Sequence, residues 1–294
     1  MIKDFFQLLK FRLSITVVFS AIAGYLLAFS EFNQIHFIYL IVGGFFVTGS
    51  ANAFNQILEK DKDKLMKRTS VRPLPQDRIS AFQAFVFAIL LGGTGIFLLN
   101  KIYPEGSFYG IMSKSAFFGL ISLLLYVLSY TPLKRISTIS IFVGAIPGAI
   151  PFLLGYVAAT DSFGFVAGTL FAIQFFWQFP HFIAIAWVQH EEYKKAGFKM
   201  LFGEEKNKYP AIISIITSAL MTIISISPFF WQFPDLTLSI YGFVLVLMLG
   251  LWFTYKSILL YQNINDLSAR KLMLSSFIYL PFMQIIYVLD AFLF

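Results

Sequence analysis

At 294 residues, 58% hydrophobic, 13% charged and with a mean hydropathy of +0.77, the chain lies outside the range of soluble globular domains, where roughly half the residues are apolar and about a quarter charged. Its net charge of +7 sits in short connections between apolar stretches, which argues against nucleic acid as a partner and for a lipid bilayer as its surroundings. The absence of cysteine excludes disulfides, thiolate-held clusters and cysteine nucleophiles.

A membrane-crossing helix needs about 20 predominantly apolar residues, and nine stretches qualify, at 11–31, 36–58, 79–99, 111–130, 137–158, 163–189, 210–230, 236–258 and 272–293. The first is long enough to span and lacks a small-residue cleavage site, so it reads as a span and not as a signal peptide. Of 22 Lys and Arg, 20 fall at the amino terminus or in the connections after the even-numbered spans, against Lys101 and Lys114 on the other side. The positive-inside rule then puts the amino terminus and those connections in the cytoplasm and the carboxyl terminus outside. The expected fold is all-α: one domain over 1–294, a polytopic bundle of nine transmembrane helices around a central cavity capped by cytoplasmic loops.

Charge concentrates after the second span, from Asn52 to Pro75. Asn55, Glu59 and Asp63 are spaced by four, so a helix aligns three oxygen ligands along one stripe. Hard oxygens suit Mg²⁺, which proteins commonly hold together with substrate phosphates, and Lys67, Arg68 and Arg72 follow with the donors a diphosphate needs. The alternative is a solvated mixed-charge connection. Further on, Tyr130-Thr-Pro-Leu-Lys134-Arg135 ends the fourth span with two cations, placed for membrane anchoring or for anion binding. Gly144-Ala-Ile-Pro-Gly148-Ala-Ile-Pro151 in the fifth combines close helix packing with proline-freed carbonyls and is expected to border the cavity. In the sixth, Gln174, Gln178, His181 and Glu192 project onto one face, with Pro180 between them. Polar groups inside a membrane are costly enough to mark a functional hypothesis, set against interhelical hydrogen bonding alone for His181. His36 and His190 lie near interfaces and are expected to be ordinary.

The run Asn55-x3-Glu59-x3-Asp63-x4-Arg68-Thr69-x2-Arg72-Pro73 resembles the first motif of the UbiA superfamily of intramembrane prenyltransferases. The Tyr130–Arg135 and Val143–Pro151 stretches and Trp177-Gln-Phe-Pro-His-Phe through Gly197 are similar to its haem-farnesylating branch. Glu59 stands where the superfamily commonly has Asp, and Ala196 stands four residues after Glu192 where a second Asp is usual. The resemblance implies that Asn55, Glu59 and Asp63 hold Mg²⁺ on farnesyl diphosphate, with Arg68 and Arg72 on its phosphates and Glu192 catalytic. Lys67, Lys134, Arg135, Gln178 and His181 are implied as further binding residues. His181 could ligate the haem iron, orient water or accept its proton. The acceptor implied is the vinyl group of haem B, the setting a bacterial cytoplasmic (inner) membrane, and the product haem O, handed to a haem A synthase or a terminal oxidase. The runner-up is prenyl transfer to an aromatic quinone precursor; from another class, a secondary transporter of an anionic substrate would share the nine spans.

Overall fold

The computed structural model describes residues 2–28, 32–105, 110–231 and 236–294. The last three residues of the first expected span, 29–31, lie outside the described residues. Ile2–Leu8 (α1) meets Phe11–Leu27 (α2) at a 49° bend, and the two together form one candidate crossing. Eight more candidate crossings follow. They are Gln34–Leu58 (α3), Ala81–Leu99 (α5), Lys114–Leu133, Ile139–Thr160 (α8), Phe165–Val188 (α9), Lys208–Trp231 (α11), Ile240–Asn263 (α12) and Asp266–Leu293 (α13). Within Lys114–Leu133, an α-helix over Lys114–Leu124 (α6) widens into a π-helical turn at Leu125–Tyr130 and closes with Thr131–Leu133 (α7). Two short helices lie in the long connections, Lys60–Asp63 (α4) and His190–Ala196 (α10). Among the described residues the expected all-α architecture is observed, with eight helices long and apolar enough to cross a membrane and a ninth where the bent pair counts as one span.

Local chemistry sets the helix starts. Asn33 caps α3 by accepting from the N–H groups of Ile35 and His36, and Ser80 closes a capping box with Gln83 at the start of α5. α13 begins six residues before the expected 272, because Asn265 accepts from the Ser268 N–H and starts the helix among polar residues. Apolarity alone could not show that extension.

Each span packs on the next in sequence, and α13 returns to α2 and closes the ring. α2 also packs directly on α8 across the ring. A Cβ on Gly24 would lie 2.1 Å from the Phe152 carbonyl oxygen, and one on Gly155 would lie 1.9 Å from that of Ala21, so only glycine permits this approach. Gly24 is fourteen residues, about 21 Å of helix, beyond Lys10. The centre is therefore closed in its far half, and the cavity lies at the charged end. Phe82, Ile89, Leu90, Phe97, Ile223, Leu251 and Phe282 are exposed on the outer surface, as lipid-facing side chains should be.

Proline-freed carbonyls find partners inside the bundle, as membrane burial requires. Pro151 has no N–H for the Pro147 carbonyl, which accepts instead from Ser122 Oγ at 3.3 Å.

Candidate active site

α3 ends at Leu58 and α4 starts at Lys60, with Glu59 between them at φ −101°. The backbone ladder nevertheless continues: Glu59 N–H donates to Asn55 O at 3.0 Å and Asp63 N–H to Glu59 O at 2.7 Å. The four-residue step survives the break, and Asn55, Glu59 and Asp63 enter one cavity of about 210 Å³. Arg68, Arg72 and Lys134 line it as well. These are six of the residues that sequence reasoning had singled out.

Although it lies in the charged connection after the second span, Asp63 is fully buried. Residues 64–79 fold over the charged end and cover it, with Thr69 Oγ1 donating to the Asp63 carbonyl at 2.9 Å. Each candidate ligand already holds a cation. Lys10 Nζ donates to Asn55 Oδ1 at 3.0 Å, Lys134 pairs with Glu59, and Arg72 Nη1 donates to Asp63 Oδ2 at 2.7 Å. Asp63 Oδ1 is buried with no hydrogen-bond partner among the described residues. Burial pushes the Asp63 carboxyl above its ordinary value, and Arg72 offsets this only in part. Burial works to lower the Lys134 ammonium, but Glu59 and Tyr126 outweigh it and leave it raised.

The set of two carboxylates and one amide fits a hard divalent cation that completes its shell with phosphate oxygens and water. Among the described residues, no three His, Asp or Glu side chains gather as a metal site of their own. The orphaned Asp63 Oδ1 is the atom that such an ion would satisfy. The amide's orientation follows from its neighbours: Thr131 Oγ1 donates to Tyr126 O at 2.8 Å and so accepts from Asn55 Nδ2 at 3.4 Å, which leaves Oδ1 toward Lys10.

Sequence reasoning missed Lys10, Tyr126 and Tyr193, all of which line the cavity. Tyr126 and Tyr130, four residues apart, both line the cavity from the segment where the helix widens into a π-helical turn, a distortion frequent at functional sites. A Cβ on Gly144 would lie 2.5 Å from the Tyr130 ring, so the fifth span, expected to border the cavity, instead backs that ring, and none of its residues lines the cavity itself. Lys134 rests over the Tyr130 ring at 4.8 Å.

The remaining expected residues point elsewhere. The backbone N–H of Lys67 donates to Glu192 Oε2 at 2.6 Å, so Glu192 ties the first charged connection to α10 and its carboxyl is held below the usual range. Arg135 turns outward to the Leu58 carbonyl. Gln178 Nε2 donates to Ala145 O at 2.9 Å and so ties α9 to α8. His181 Nδ1 meets Ser276 Oγ of α13 at 2.7 Å, and its ring stacks on Trp177 at 4.6 Å. The single polar face expected for 174–192 is thus divided, because α9 ends at Val188 and Glu192 belongs to a separate helix beyond Gln189.

Residues 17–280 match the model of the UbiA prenyltransferase family. Protoheme IX farnesyltransferase of Flavobacterium psychrophilum is 47% identical over 99% of this chain and 95% of its own. The enzyme of that name from Opitutus terrae is 35% identical over 98% and 94%. Among solved structures, a digeranylgeranylglyceryl phosphate synthase superposes with a TM-score of 0.80 at 22% identity, covering 99% of this chain and 98% of its own. A UbiA homologue from Archaeoglobus fulgidus bound to GPP and Mg²⁺ does so at 0.68 and 17%, covering 97% and 99%. Sequence and fold agree, and the chain is a multi-pass membrane protein belonging to the UbiA prenyltransferase family.

Proposed function

We propose that this chain transfers a farnesyl group from farnesyl diphosphate to a vinyl group of haem B with addition of water, giving haem O for a haem A synthase or a terminal oxidase. The observation that carries this is the cavity itself, where three oxygen ligands on one stripe face four cations, in a chain 47% identical to a protoheme IX farnesyltransferase over nearly its whole length. The charged end would face the cytoplasm of a bacterial inner membrane.

Asn55, Glu59 and Asp63 would hold Mg²⁺. Bound there, the ion supplies electrostatic stabilisation of the departing diphosphate. Arg68 and Arg72 would donate to phosphate oxygens, and Lys134 adds a third positive charge to the cavity wall. Donors fixed in place before the bond breaks cost no reorganisation, and one such donor is worth about 10²–10³ in rate. As the allylic C–O bond breaks, its electron pair leaves with the diphosphate and the vinyl group bonds to the allylic carbon. Water adds to the resulting cation and loses a proton. The rings of Tyr126 and Tyr130 wall the cavity on its inner side, where they exclude stray water and offer π faces to positive charge. His181, committed to α13, is assigned no part in holding the diphosphate.

Cells expressing the protein should accumulate haem O, read from the mass of extracted haems. Unchanged haem B with a prenylated aromatic ring would point to the quinone-precursor reaction; unchanged haem B with no prenylated product would remove the enzyme reading.

A further inference from the structure

Lys10 belongs to no expected motif, yet it holds the most strained position in the cavity wall. It lies in the break between α1 and α2 in the left-handed region, at φ 46° and ψ 55°, where a side chain with a Cβ pays for its place and Asn or Gly would sit more easily. The backbone is fastened there: Lys10 N–H donates to Gln7 O at 3.2 Å, and Lys10 O accepts from Ser14 N–H at 3.1 Å. The effect is to aim an ammonium at Asn55 Oδ1. Such strain at a ligand site invites a functional explanation.

The charge balance supplies one. Four cations, Lys10, Arg68, Arg72 and Lys134, line the cavity against the two carboxylates Glu59 and Asp63. Each of the three candidate metal ligands has one of these cations on it. A free divalent cation would enter against net positive charge and would have to displace ammonium and guanidinium groups that had nowhere to go. A diphosphate reverses both conditions: its negative charge exceeds the cavity's surplus, and its oxygens accept the donors that the metal displaces.

Building on the prenyl-diphosphate function proposed above, we propose that Lys10 binds the substrate's diphosphate, and that by holding Asn55 Oδ1 beforehand it keeps the metal out until metal and diphosphate arrive together. Lys10 is then a substrate-binding residue and a gate on metal entry at once.

The test uses the full-length protein in detergent micelles and two separate binding measurements: Mn²⁺ alone, followed by the loss of its free-ion electron paramagnetic resonance signal, and radiolabelled inorganic pyrophosphate alone, in EDTA. The variant is Lys10→Asn, which removes the charge and suits the left-handed break. It should bind Mn²⁺ about tenfold more tightly than the wild type and pyrophosphate about tenfold more weakly, the scale of one charge-assisted hydrogen bond. Lys10→Arg, which keeps the charge, should resemble the wild type in both. Should Lys10→Asn match the wild type in both measurements, Lys10 is only a hinge and the proposal is overturned. Equal losses in Lys10→Asn and Lys10→Arg would overturn it too, by showing that backbone conformation and not charge is what matters. A wild-type chain that retains no pyrophosphate even with Mg²⁺ present is a different failure, that of the prenyl-diphosphate reading itself.

Discussion

Replacing Arg72 with Ala removes the guanidinium that reaches Asp63 Oδ2 at 2.7 Å, from a side chain 18% exposed onto a carboxylate 1% exposed. Two consequences follow and can be separated. For stability, an uncompensated buried charge costs about 3–5 kcal/mol, but here protonation limits the loss, because burial already raises the Asp63 carboxyl. For function, the diphosphate loses a charge-assisted bond worth about 1.5–3 kcal/mol, roughly ten- to a hundredfold in kcat/KM, and a protonated Asp63 is a poorer metal ligand. The assay is haem O formation in isolated membranes, normalised to inserted protein, as farnesyl diphosphate and Mg²⁺ are varied independently. Arg72→Ala should raise the KM for farnesyl diphosphate and the Mg²⁺ needed for half-maximal rate. Arg72→Lys should recover part of the loss, since it keeps the charge without the planar fork. Adding Asp63→Asn to Arg72→Ala should restore inserted protein and not activity, as expected of two groups coupled in one pair. An unchanged KM for farnesyl diphosphate in Arg72→Ala would refute the reasoning and leave Arg72 as a support for Asp63 alone.

Activity in membranes should vanish in EDTA and return with added Mg²⁺, and full turnover in chelator would remove the ligand assignment of Asn55, Glu59 and Asp63. Asp61 is exposed two residues before the buried Asp63, so Asp61→Asn should keep normal turnover while Asp63→Asn loses it with the protein still inserted; the reverse pattern would break the stripe. The depressed Glu192 carboxyl contributes stability that is present above the ordinary carboxylate range and is lost as pH falls through its lowered folded value. Proteolysis of the 64–79 connection should therefore quicken at acidic pH in the wild type, and be fast and nearly pH-independent in Glu192→Gln.

The spans and the acidic stripe could be read from the sequence because both depend on short-range periodicity, and the i to i+4 backbone bonds preserve that periodicity through the break at Glu59. Contacts between distant segments carry no such trace. Lys134 and Arg135 are adjacent cations, and what separates them is that Glu59 draws Lys134 inward while the Leu58 carbonyl draws Arg135 outward. Lys10 looks like one more basic residue at a membrane-proximal terminus until a left-handed break turns it onto Asn55. Tyr126 lies in an otherwise apolar span four residues before Tyr130, and nothing in its own sequence says that this face of the helix turns to the cavity and not to lipid. The burial of Asp63 depends on how residues 64–79 fold back, and spacing says nothing of that. His181 stands out in its span as a costly polar group, but its partner Ser276 is 95 positions away and its direction cannot be read from its own helix.

That distant partner bears on the order in which the protein is made. Trp177 Nε1 donates to the Ser276 carbonyl at 3.0 Å, His181 shares the Ser276 hydroxyl, and Ser20 donates to Gln284 Oε1 at 3.3 Å, so three polar groups on earlier helices are satisfied by α13, which leaves the ribosome after all of them. During translation, eight inserted spans carry unmet hydrogen-bonding groups in hydrocarbon until α13 closes the ring against α2 and α9. The nascent bundle is thus incomplete in a chemically visible way until α13 is in place. A chain cut before Asp266 would retain every residue of the cavity and still present the lipid with the unsatisfied polar surface that membrane quality-control proteases encounter in unfinished proteins.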